Sequence, residues 1–170
     1  MVHGILIPAD DARSLEPIEL HALEDYQRAV GGWIEAVDIG ELGLTIYVNE
    51  EGLLRGLPFN RRGTFLWWYH VAEARGKARL VGDAVLVGWP DSDGQNTDLP
   101  VELRSALLAP ASYAVSVREP SDGRWHASPL DHEEYIEAIV WAALLMEHAP
   151  GLQVRIARTD HGDNENEHHR

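Results

Sequence analysis

The chain is 170 residues long and cysteine-free, with 28 Asp and Glu against 14 Lys and Arg for a net charge of −14. Without cysteine, a disulfide framework, a thiolate zinc or iron–sulfur site and a Cys nucleophile are excluded, and the surplus of carboxylates repels nucleic acid and anionic lipid at long range. An apolar fraction of 45% with six Trp and five Tyr suits a globular protein, here one domain or one domain with a small appended module.

Val2–Pro8 reads as a first strand, ended by Pro8 and Asp10-Asp11. Pro17 stands where an N1 proline opens a helix, and Leu20, Leu23, Tyr26 and Val30 recur at helical spacing up to the Gly31-Gly32 stop. Trp33–Ile39 and Leu44–Val48 read as strands, and Asn49-Glu50-Glu51-Gly52 has turn composition. Leu53-Leu54 is expected to return as a short hairpin partner. Asn60 is placed to cap a helix over about Arg62–Ala74, with Phe65, Leu66, Tyr69 and Ala72 on its core face. Lys77–Val81 and Ala84–Trp89 flank a Gly82-Asp83 turn as a strand pair, the second buried and central. Pro90–Pro100 reads as a polar loop and Leu99–Leu108 as a short helix.

After Pro110 the pattern changes. Tyr113–Arg118 and Arg124–Ala127 form a hairpin around Pro120-Ser121-Asp122-Gly123. Ser128-Pro129-Leu130-Asp131 has the form of a capping box for a helix reaching about His148. That helix is apolar almost all round from Ala138 to Met146, yet well short of the ~20 residues a membrane span needs. Leu152–Ala157 closes as a strand. The expected fold is α+β: a mixed sheet with packed helices in the order β-α-β-β-α-β-β over 1–108, then a ββαβ module over 111–158 packed on it. Residues 159–170, rich in Asp, Glu, Asn and His, are expected to be a disordered tail. The first residues lack a positive n-region, so a cytoplasmic location is expected.

Charge is distributed unevenly. Residues 1–51 hold 11 acids and 2 bases, residues 52–82 hold 1 acid and 6 bases, and residues 83–170 hold 16 acids and 6 bases. A cationic segment, Arg55–Arg79, therefore lies between two acidic ones.

Four stretches carry a resemblance: Ala29-Val30-Gly31-Gly32-Trp33-Ile34-Glu35, Tyr47-Val48-Asn49-Glu50-Glu51-Gly52, Gly56-Leu57-Pro58-Phe59-Asn60-Arg61-Arg62, and Val81-Gly82-Asp83-Ala84-Val85-Leu86-Val87-Gly88. In order and spacing, Leu23–Gly88 resembles the phage and plasmid family catalogued as domain of unknown function 3846. The resemblance implies a mobile-element origin and brings no activity with it. The C-terminal ββαβ module lies outside it.

Candidate chemistry concentrates in the cationic segment. Arg55, Asn60, Arg61 and Arg62 gather guanidiniums at a helix N-terminus, where free N–H groups and the helix dipole favour an anion such as a phosphate or nucleotide. The competing reading is that these arginines pair internally with the abundant carboxylates. Trp67 and Trp68 point about 100° apart on a helix, so one of them is a candidate interface residue. Glu50-Glu51 reads as a solvated turn, and Asp91–Asp98 has its glycine at the wrong place for an EF-hand loop. No His-Glu-x-x-His exists, and His161, His168 and His169 lie in the tail. Gly82–Gly88 flanks a strand and is neither a phosphate loop nor a dinucleotide fingerprint. No cofactor, metal or catalytic residue is therefore assigned. The expectation is a non-enzymatic accessory protein that binds a host protein, as a defence antagonist or an acidic DNA mimic. The alternative is a nucleotide or small-anion module at Asn60-Arg61-Arg62. A homodimer remains open, and direct binding of double-stranded DNA is disfavoured for want of a basic surface.

Overall fold

The computed structural model describes residues 1–159; the tail from 160 onward, with His161, His168 and His169, lies outside the described residues. The fold is α+β, as expected, with every strand ladder antiparallel. In chain order the elements are β1 (Val2–Ile7), β2 (Glu16–Leu20), α1 (Leu23–Val30), β3 (Ile34–Ile39), β4 (Leu44–Asn49) and α2 (Arg61–His70). There follow β5 (Ala84–Pro90), β6 (Asn96–Thr97), α3 (Val101–Leu108), β7 (Tyr113–Arg118), β8 (His126–His132), α4 (Tyr135–His148) and β9 (Gln153–Arg158). One sheet runs β2-β1-β5-β4-β3 with β6 added on β5, and the second runs β8-β7-β9.

The apolar pattern of each element sets its layer. β5 is central and buried on both faces, and its side chains alternate between two cores. Leu86 joins Ile5, Ile7 and Ile46 on the face covered by Leu66 of α2 and by Ile136 and Ile139 of α4. Val85 and Val87 face the other way, onto Tyr26 and Val30 of α1. Helix α4 is apolar nearly all round because it serves both sheets: Ala138 and Ala142 pack on Tyr113 and Val115 of β7. Val140 and Ala143 meet Phe65 of α2. The ββαβ segment is thus packed on the preceding one through a shared helix. Truncating a fully buried residue such as Ile139 to Ala would cost about 2–5 kcal/mol.

Several local expectations are corrected. Pro17 lies in β2, paired with Ile5, and does not open a helix. Helix α1 begins at Leu23, where Asp25 accepts the backbone N–H groups of His21 and Ala22. Leu53-Leu54 is part of a turn and not a strand. Lys77–Val81 is not a strand: its one β-bridge runs from Val81 to Phe59, and Leu80 is held by hydrogen bonds with Asn60 and Thr64. Helix α2 ends at His70, so Ala72 lies beyond it and is exposed. The Pro90–Pro100 loop contains β6. Ser128-Pro129 sits within β8, and α4 starts only at Tyr135.

Candidate functional site

The cationic cluster predicted from sequence forms, but as a junction inside the fold. Asn60 is fully buried at the N-cap of α2. Its Oδ1 accepts the Gly63 N–H at 2.9 Å, and its Nδ2 donates to the carbonyls of Ile7 and Gly82 at 2.9 and 2.8 Å. One side chain therefore ties the helix start to β1 and to the turn before β5. Arg62 is 3% exposed. Its Nη2 donates to the carbonyls of Pro8 and Asp10, and its Nε lies 3.5 Å from Asp11 Oδ1. Arg61 forks onto Glu137 of α4 through Nη1 and Nη2 at 3.0 and 2.6 Å, and its Nε donates to Asp11 Oδ2 at 2.9 Å. The Glu137 hydrogen bonds foremost, then those to Asp11, raise the guanidinium pKa against the opposing effect of partial burial. Arg55 stands apart from this junction and donates to the Gly31 carbonyl. The structure thus brings Asn60, Arg61 and Arg62 together and spends most of their donors on carbonyls and carboxylates, Arg62 Nε being buried without a hydrogen-bond partner. A phosphate there would have to displace Asp11 and Glu137.

Neither predicted interface tryptophan is fully exposed. Trp67 and Trp68 are half-buried, and Trp68 Nε1 donates to the Ala78 carbonyl. Large apolar side chains are exposed at several other places, among them Trp33 at 66%, Leu53 at 63% and Leu54 at 91%.

Trp33 directly precedes β3, an open sheet edge, and Leu53 lines a cleft with Glu35 and Val37 of that strand. β3 pairs with β4 on one side only and ends the first sheet. The Glu50 N–H donates to the Trp33 carbonyl at 2.8 Å, which sets the phase of the ladder. In an antiparallel ladder, directly opposed residues alternate between hydrogen-bonded and non-bonded pairs. Trp33, Glu35, Val37 and Ile39 therefore bond toward β4, and the N–H and C=O groups of Ile34, Ala36 and Asp38 face outward. Among the described residues no backbone partner meets them. Beside this edge, on the α2 face of the sheet, lies a cleft of about 210 Å³. Val37, Leu53, Trp67 and Leu80 supply its apolar lining, with Glu35, Glu50 and Arg79 as its charged members. Strand alternation puts Glu35 and Val37 on the cleft face. Asp38 lies on the opposite face and accepts the Thr45 hydroxyl.

Sequence reasoning does not point to this cleft, because it expects Leu53-Leu54 as a short hairpin partner and the structure has a turn there. Two adjacent leucines after an Asn-Glu-Glu-Gly turn were the available signal. The cationic segment does reach the site, through Arg79. Among the described residues no group of acidic and His side chains is arranged to hold a metal ion, and no helix is long and apolar enough to cross a membrane.

Residues 3–110 match the model of the family described as "Domain of unknown function (DUF3846)". The match extends beyond Leu23–Gly88 on both sides and spans well over half of the 170 residues. The chain belongs to that family. No curated protein and no solved structure matches it.

Proposed function

We propose that this member of the DUF3846 family is a non-enzymatic accessory protein of a phage or other mobile element, working in the cytoplasm by binding a host protein. The observation that carries the reading is the unpaired β3 edge with its adjoining cleft and the uncovered Trp33, Leu53 and Leu54. Open sheet edges and exposed apolar surface are costly to leave bare, and they commonly mark contact surfaces. The alternative of an anion site at Asn60-Arg61-Arg62 is weakened because each of these side chains already holds protein partners.

Tagged protein is incubated with host lysate at low and high salt, and captured species are identified and re-bound as purified proteins. One partner that re-forms a stoichiometric complex supports the reading. Retention of a nucleotide through purification, with no protein partner reproduced, would replace it with the anion reading. A captured DNA-binding protein released by salt would specify DNA mimicry.

A further inference from the structure

We infer that the β3 edge receives an extended, basic and apolar peptide segment of the partner, added to the first sheet as a further strand. This rests on the protein-binding reading above and names the chemistry of the bound segment.

The backbone supplies the affinity. Ile34, Ala36 and Asp38 present three N–H and three C=O groups in strand geometry, the arrangement a peptide uses when it adds to a sheet. The other end of the same sheet differs. There β2 carries Pro17, which lacks an N–H and interrupts a ladder. β3 has no proline.

The cleft supplies the anchor. At about 210 Å³ it falls below the ~300–1,000 Å³ typical of small-molecule pockets. It is of a size to take one apolar side chain between Val37, Leu53, Trp67 and Leu80. Because alternate residues of an added strand point to one face, the anchor would be followed two positions away by a side chain level with Glu35 or Trp33.

Charge selects the occupant. Glu35, Asp38, Glu41, Glu50 and Glu51 stand around the edge, all exposed. Arg79 is the single cation in the cleft lining. A second copy of this chain would set the same five carboxylates against each other and bring together two chains of −14. Nucleic acid meets the same repulsion. A strand with lysines or arginines flanking an apolar residue meets none of it, and cross-strand pairs of opposite charge add stability.

The test uses the full chain and a fluorescein-labelled nonapeptide alternating Lys with Val and Leu. Two control peptides are needed: one with Glu for Lys, and one N-methylated at alternate residues so that it cannot pair as a strand. Fluorescence anisotropy at near-physiological salt gives the affinities. Saturable binding of the Lys peptide is expected, with at least a tenfold loss on N-methylation and no saturation by the Glu peptide. Ala36→Pro removes only an outward N–H and leaves the charge unchanged, so at least a tenfold loss with an unaltered thermal midpoint is expected. Should Ala36→Pro unfold the chain, Glu35→Lys with Glu50→Lys and the N-methylated peptide carry the test instead. Equal binding of the N-methylated peptide, equal binding of the Glu peptide, or no saturation by the Lys peptide would each overturn the inference. A lysate partner that folded Ala36→Pro protein still captures would remove the edge inference and leave the protein-binding reading in place.

Discussion

Replacing Asn60 by Ala separates two roles that one buried amide combines. The change removes the N-cap of α2, worth about 1 kcal/mol, together with the donors that reach the Ile7 and Gly82 carbonyls. Each buried carbonyl that loses a partner adds about 1–3 kcal/mol. The expected loss is about 3–7 kcal/mol, a large share of the ~5–15 kcal/mol that holds an ordinary domain together. In urea, with a slope of about 2 kcal/mol/M, the midpoint should fall by about 1.5–3.5 M at unchanged slope. Asn60→Asp is the discriminating variant. Aspartate caps a helix as well as asparagine does, but it would turn a carboxylate oxygen toward two carbonyl oxygens in a site with no exposure. It should therefore be at least as damaging as Ala. If Asn60→Asp unfolds within about 0.5 kcal/mol of the parent, the bonds to Ile7 and Gly82 contribute nothing and the cap alone explains the residue.

The remaining predictions address charge, packing and pH. Glu137→Gln removes the carboxylate that Arg61 grips, yet both side chains are about one-third exposed. The loss should be only about 0.5–1 kcal/mol, read as a urea midpoint at low salt that shrinks as salt is added. Gly88→Ala would place a methyl group against Thr97 and 2.5 Å from the Asp98 carbonyl oxygen. A destabilisation of about 1–3 kcal/mol is expected by thermal unfolding, since β6 must move to admit it. Burial pushes the pKa of His70 down to about 4 from its ordinary 6.5. The unfolded chain then takes up the proton first as pH falls. Stability present above about pH 6.5 should decline toward pH 4 by on the order of 3 kcal/mol. His70→Gln should flatten that slope in pH-dependent urea unfolding, and an unchanged slope would exclude His70 as its source.

Local signals in the sequence were reliable where the deciding contacts are local. Asn60 as a cap, Gly31 as the stop of α1 and β5 as the central strand follow from neighbouring residues and apolar runs. Both misplaced helix starts have one physical origin. Pro17 and Pro129 fit the N1 position of a helix, but proline is equally at home on an edge strand, where a missing N–H breaks no essential ladder bond. β2 and β8 are edge strands, and nothing within a few residues distinguishes the two settings. The pairing of the arginines was illegible for a different reason. Their partners lie 50 residues before and 76 residues after Arg61, and local charge counts cannot show such pairing. The family resemblance identified the correct segment but carries no chemistry that could have separated a structural Arg61-Arg62 from a binding one.

Helix α4 has an evolutionary implication. The family match ends at residue 110, whereas the core of the matched part takes Ile136 and Ile139 from beyond that point. In this chain the matched part alone therefore leaves the Leu66 face of α2 uncovered, and α4 from the unmatched part closes it. Relatives without a comparable C-terminal segment would be expected to close that face with another element or another polypeptide. In them, substitutions at Phe65 and Leu66 should track the identity of that lid, whichever chain supplies it.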